Sequence, residues 1–237
     1  MKLSVTCGDD KLDLEVVFRK RKTMEIQVHP PGTVKVIVPA GTSKQAILTA
    51  VKSKENWLTK KLNELKDMGC LPAERELVTG ASLFYLGSNY QLEVQKASNV
   101  KVISVRLQQG KLLVVTPTKD QGKIKEALEQ WYRKKAAVEI CERVQYYAVP
   151  LNKAPAEIKI KHQKRRWGSC TGAGKLLFNW RCIMAPGHIL DYVIVHEMCH
   201  LHYMNHSKDF WGLVGSIIPD YKERREWLKK NGVLLDL

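Results

Sequence analysis

Residues 196–206 read His-Glu-Met-Cys-His-Leu-His-Tyr-Met-Asn-His, and no other stretch constrains the fold of this 237-residue chain so tightly. On a helix, His196 and His200 stand one turn apart on the same face. Two imidazoles so placed can hold one metal ion, with Glu197 beside them able to take a proton from a water on that ion. His206 follows six residues after His200, the third-ligand offset of the longer zinc-binding motif. Three nitrogens leave a fourth position open, which suits a catalytic zinc rather than a structural one. The implied chemistry is that of a hydrolase with one Zn2+ per chain.

The flanks agree. Ile189, Leu190, Val193, Ile194 and Val195 make the preceding turns apolar, as a buried helix would be. His202 projects away from the face of His196 and His200, so it reads as a non-ligand. Cys199 also points off that face and reads as core packing. The longer motif has a glycine three residues after its second histidine, where this chain has Tyr203. The reversal toward His206 is therefore expected later, at Asn205, which tolerates a left-handed conformation; alternatively His206 returns from a following loop or helix.

A hydrophobic content of 44% and a charged content of 27% are ordinary for a soluble globular protein. No apolar run is long enough to cross a membrane, so no membrane partner is expected. The N-terminus meets Asp9 and Asp10 too early for a secretory signal. Six scattered cysteines without CxxC pairs read as reduced thiols, and together these features predict a cytoplasmic protein. The net charge of +15 comes in short runs, among them Arg19–Lys22, Lys164–Arg166 and Arg224-Arg225. It fits weak, non-specific attraction to nucleic acid, an acidic substrate or a solvated surface, and no nucleic-acid-binding signature accompanies it.

The pattern of elements predicts an α+β fold: two β-hairpin/helix lobes, then a C-terminal segment with a β-hairpin and the HExxH helix. The N-terminal lobe is expected over 1–72, and 73–237 joins the second β/α unit to the metal segment at 155–237. Strands are expected at Leu12–Phe18, Met24–Val28 and Val34–Val38, followed by one helix capped by Thr42 or Ser43 and carrying Ile47, Val51, Trp57 and Leu58. Tyr90–Val94, Val100–Leu107 and Lys111–Thr116 repeat the order, with Gln109-Gly110 as a turn and a long helix from about Gln121 to Tyr147. Met68–Pro72 reads as a loop between the units. The strand–Pro–helix–Trp echo hints at an internal repeat, and a convergent β–α pattern explains it equally well. In the third segment, Glu157–Lys161 and Leu176–Trp180 are strands around a Gly172–Gly174 turn, a hairpin that could hold an extended substrate as an added strand. Asp191 is expected in the first turn of the metal helix, complementing its dipole.

Lys164-Arg165-Arg166-Trp167-Gly168-Ser169-Cys170, Phe178-Asn179-Trp180-Arg181, Asp191–Glu197, Asn205-His206-Ser207 with Phe210-Trp211, and Pro219-Asp220-Tyr221 occur in that order. The string resembles the YgjP-like family of metal-dependent hydrolases, zincin-type metallopeptidase relatives more distantly akin to SprT-like and WLM proteases. The resemblance runs from about Leu12 to Leu235. It implies zinc on His196, His200 and His206, Glu197 as catalytic base, and a peptide or protein substrate. Arg166 is a candidate for stabilising an oxyanion or binding a substrate carboxylate; its alternatives are an ion pair with Asp191, Glu197 or Asp220, or a solvated strand position. Trp167, Trp180 and Trp211 read as core. Ser169 and Cys170 lack a base at a diagnostic spacing. Asn205, Ser207 and Asp220 are candidates for orienting the ligands. The leading reading is a zinc peptidase; its rivals are a nucleic-acid-associated protein-processing factor and a non-catalytic protein stapled by structural zinc.

Overall fold

The computed structural model describes residues 2–7, 10–29, 33–67, 76–163 and 166–237. The chain divides into two compact units, Met1–Glu74 and Arg75–Leu237, each with its own hydrophobic core. Both mix strands and helices, so the fold is α+β. The Met68–Pro72 stretch lies outside the described residues, as do Lys164 and Arg165.

The first unit is a four-stranded sheet of β1 (Lys2–Cys7), β2 (Asp10–Arg19), β3 (Glu25–His29) and β4 (Thr33–Pro39), in the order β1-β2-β4-β3. Period-two alternation sends Leu14, Val16, Val34, Val36 and Val38 into the core, and the parallel register of β2 on β4 sets Leu14 opposite Val34 and Val16 opposite Val36. Ser43 caps the helix that follows, accepting from the Ala46 amide at 3.2 Å. That helix is two helices rather than one. α1 (Lys44–Lys52) buries Ile47 and Val51, the chain breaks at Ser53-Lys54, and α2 (Glu55–Asp67) buries Leu58 while leaving Trp57 half exposed. The Ser53 amide bonds back to the Thr49 carbonyl and the Lys54 amide to the Val51 carbonyl, closing α1 before its apolar stripe reaches Trp57.

The second unit begins with a sheet of the same topology. β5 (Ser82–Tyr85), β6 (Ser88–Lys96), β7 (Ser104–Gln108) and β8 (Lys111–Thr116) lie in the order β5-β6-β8-β7. In both sheets two antiparallel hairpins meet through parallel pairing of their second and fourth strands. The echo in the sequence is thus an echo in topology, although it fails at the tryptophans, since Trp131 is buried and Trp57 is not. Gln109 and Gly110 both have positive φ, the backbone of a two-residue hairpin turn.

α3 (Gln121–Leu151) starts at the Asp120 cap and buries Ile124, Leu128, Trp131, Tyr132, Ala136, Ile140, Val144 and Leu151 at helical spacing. A third sheet, ordered β10-β11-β9, is made of β9 (Glu157–Lys161), β10 (Gly168–Cys170) and β11 (Lys175–Asn179), which leaves β10 at an edge. A 3-10 turn at Trp180–Met184 leads into α4 (Gly187–Cys199), and α5 (Lys208–Ile217) and α6 (Tyr221–Asn231) complete the unit. The turn between β5 and β6 braces the approach to α4: the Leu86 and Gly87 amides bond to the Ile183 and Met184 carbonyls at 2.8 and 3.2 Å. A side chain at residue 87 would lie 2.7 Å from the Pro186 backbone, and φ there is +80°, so only glycine fits. Asp191 lies beyond the first turn of α4 and pairs instead with Arg143 of α3 at 2.8 Å. No helix among the described residues is long and apolar enough to cross a membrane.

The buried Tyr132 hydroxyl donates to the Phe84 carbonyl at 2.8 Å and ties α3 to β5. Tyr132→Phe is expected to cost about 1 kcal/mol, seen as a lower urea midpoint at unchanged m-value.

Candidate metal centre

α4 is apolar on nearly every side, with Ile189, Leu190, Tyr192, Val193, Ile194, Val195, Met198 and Cys199 all buried. It brings His196 and His200 to its C-terminal end, where the chain must reverse. The reversal uses a tightened last turn. The Leu201 and His202 amides bond to Met198 and Cys199 at 2.9 and 3.0 Å, and the Tyr203 amide also reaches Cys199 at 3.0 Å. Asn205 is not left-handed; the described non-glycine residues with positive φ are Leu86, Gln109 and Asn152. The end of α3 clamps the turn instead, because Lys153 Nζ donates to the Leu201 carbonyl at 2.6 Å and His202 Nε2 lies 3.0 Å from the Leu151 carbonyl. His202 is thereby turned away from the other histidines, as its helical position implies.

His206 sits just before Ser207, whose Oγ caps α5 by accepting from the Phe210 amide at 3.3 Å. Ser207 therefore acts by fixing the helix start rather than by bonding a ligand. The Nε2 atoms of His206 and His196 are 3.1 Å apart, and one ring nitrogen from each of His196, His200 and His206 falls within 4.8 Å of the others. Zinc with bonds of about 2.0–2.1 Å in a tetrahedral site would hold such nitrogens about 3.3–3.4 Å apart, close to the spacing of that pair. His200 Nδ1 lies 2.9 Å from the Tyr203 carbonyl, which can only accept; Nδ1 then carries the proton and Nε2 keeps its lone pair. Burial, then the neighbouring His200 and His206, pushes His196 down to about 3, so it is neutral near pH 7, the form that binds metal. The Nδ1 of His196 is buried with no hydrogen-bond partner among the described residues. The donor set fits a divalent ion.

Phe210 packs the three rings together. Its centroid lies 5.0, 4.5 and 4.8 Å from those of His196, His200 and His206. Trp211 lies nearly parallel to His206 at 5.5 Å, and Tyr221 of α6 nearly parallel to Trp211 at 5.2 Å. Trp180 is core, as expected, but Trp211 is part of the ligand packing.

Glu197 is buried against β10 of the hairpin. It is 7% exposed, and a Cβ built on Gly168 of β10 would fall 2.5 Å from its Cγ and 2.8 Å from its Oε1. Only glycine at residue 168 leaves room for this carboxyl. Burial raises its pKa to about 8, opposed by the positive charge of Arg166. Arg166 is exposed at the entrance to β10 and has no ion pair among the described residues, since Asp191 pairs with Arg143 and Asp220 with Arg224. Asp220 is thus not a support for a ligand histidine. Asn179 shapes the Arg166 loop: its buried amide donates to the Gln163 and Arg166 carbonyls at 2.7 and 3.2 Å. Cys199 is buried, its thiol pushed up to about 12 by desolvation, as a packing residue's would be.

The sequence names Phe210 and Gly168 only within the family string, without a role, and does not point to the Tyr203 carbonyl. The Ser207 cap places Phe210 in the first turn of α5, but only the direction of α5 brings its ring to the histidines.

The family profile described as YgjP-like, metallopeptidase domain matches residues 22–231. The chain belongs to the YgjP-like family. Membership makes it a metallopeptidase, an enzyme with a metal cofactor that acts on peptide or protein substrates, and the histidine cluster is where such an ion fits. Among solved structures, the crystal structure of the metallopeptidase zymogen of Pyrococcus abyssi abylysin is similar over 38% of this chain and 93% of that one, at 18% identity and a TM-score of 0.36. A likeness that partial bears on no conclusion here. No curated protein matches the chain.

Without metal, Glu197 binds its proton more tightly folded than unfolded, so its contribution to stability is intact below about pH 4.5 and is lost as pH rises through about 8. In metal-stripped protein, Glu197→Gln is expected to raise Tm over wild type by a margin that widens from pH 5 to pH 8. An equal margin at both pH values would show that this carboxyl does not titrate in that window.

Proposed function

We propose that this metallopeptidase is a zinc enzyme in which His196, His200 and His206 hold the ion and Glu197 is the general base. The convergence of three imidazole nitrogens, with Glu197 buried on the same helix one residue from the first of them, carries this reading. Zinc supplies Lewis acidity there, lowering the pKa of water to about 7 and polarising a scissile carbonyl. Glu197 then takes the proton of the attacking water and returns it to the leaving amine. Its apolar surroundings suit the second task, which needs a carboxyl willing to hold a proton near neutral pH. Arg166 opposes that burial so that the carboxylate can form, and its guanidinium is available to charge developing on the substrate carbonyl. The edge of β10, with Gly168 beneath Glu197, suits an extended peptide added as a further strand, which would carry its backbone past both groups.

Glu197→Gln is expected to retain one zinc per chain by elemental analysis while peptide hydrolysis falls by about a hundredfold or more; retained turnover would sink the assignment. His206→Ala is expected to lose the metal itself. Gly168→Ala is expected to keep zinc yet lower kcat, because the added methyl takes the space of the Glu197 carboxyl.

A further inference from the structure

Arg225 lies outside the cluster of ligands and base, yet its surroundings tie it to them. On α6, one turn after Tyr221, its guanidinium carbon stands 5.1 Å from the centre of the Trp211 ring. Trp211 is stacked on His206 and lies 5.6 Å from His196, so a run of packed rings fixes Arg225 at the rim of the metal centre.

No carboxylate pairs with Arg225 among the described residues. Of the acids near it, Asp220 pairs with Arg224 at 2.9 Å and Glu226 with Lys229 at 3.3 Å, and Glu223 makes no ion pair with Arg225 among the described residues. A guanidinium held over an indole by cation–π attraction still has N–H donors at its edge, where they can match a carboxylate two at a time. Arg166, also without an ion pair among the described residues, adds a second cation on the Glu197 side. The centre is therefore flanked by positive charge from two separate elements, in a chain whose net charge is +15.

We propose that Arg225 is a specificity-determining residue that binds a carboxylate of the substrate, so that this peptidase prefers acidic peptides. The inference rests on the reading of the site as a zinc peptidase. The carboxylate has two sources, an Asp or Glu side chain and a free chain terminus.

The test uses the full chain loaded with zinc and matched reporter decapeptides that carry Asp or Glu, or Asn or Gln, at each position in turn, with a free or an amidated C-terminus. Acidic peptides are expected to be cleaved with a KM lower by about tenfold, and Arg225→Gln should abolish that difference through KM while Arg225→Lys restores part of it. Loss on amidation would assign the carboxylate to the chain terminus; loss on Asp-to-Asn exchange would assign it to a side chain. A second readout needs no turnover. In the Glu197→Gln background, fluorescence anisotropy should show tighter binding of the acidic peptides, lost on adding Arg225→Gln. If no peptide is cleaved but this preference holds, the peptidase reading fails and the carboxylate site stands. Equal binding of acidic and neutral peptides would overturn it, as would an Arg225→Gln variant that lowers kcat equally on every peptide.

Discussion

A helix that is apolar on nearly every side has to be surrounded, and α4 imposes that requirement on the whole second unit. α3, the Trp180–Met184 turn, β10, α5 and α6 all pack on it. His196 and Glu197 are adjacent in sequence and differ by about 100° around the axis, so one turns to the α5 side and the other to the hairpin. The geometry of the centre follows from how α4 is enclosed.

Burial also sets the electrostatics. Without a cation, desolvation favours the neutral forms of both key groups, lowering His196 and raising Glu197. The neutral imidazole is the form that coordinates metal, while a divalent ion would reverse the balance for the carboxyl by offering it an opposite charge. The same enclosure therefore leaves the imidazoles in the form that can coordinate an ion and makes the charge on Glu197 depend on that ion.

Rigidity comes from aromatic packing rather than from a polar network. Phe210 touches all three imidazoles, and Trp211 and Tyr221 continue the stack to α6. Hydrogen bonds serve the backbone around the site. The Tyr203 carbonyl fixes the His200 tautomer, Lys153 clamps the reversal, and Asn179 holds the Arg166 loop. Behind them, the second sheet supports the entry to α4 through a turn that only Gly87 permits.

Local chemistry was legible in the chain itself. The i, i+4 histidines, the apolar run before them, the Ser43 cap and the Gln109-Gly110 turn depend on neighbours a few residues apart, and propensity and periodicity act at that range. The sequence pattern runs α1 into α2 across Ser53-Lys54, where local backbone bonds end α1, and it gives Asp191 a helix-dipole role where the fold gives it an ion pair with Arg143, 48 residues away. The same holds for the centre: residue types and spacing named its histidines and glutamate, but spacing says nothing about where α5 and α6 run. The placement of the Phe210 ring, the space above Gly168 and the position of the Arg225 guanidinium over Trp211 exist only once packing has set those directions, since dispersion and desolvation act between surfaces that the chain order does not bring together.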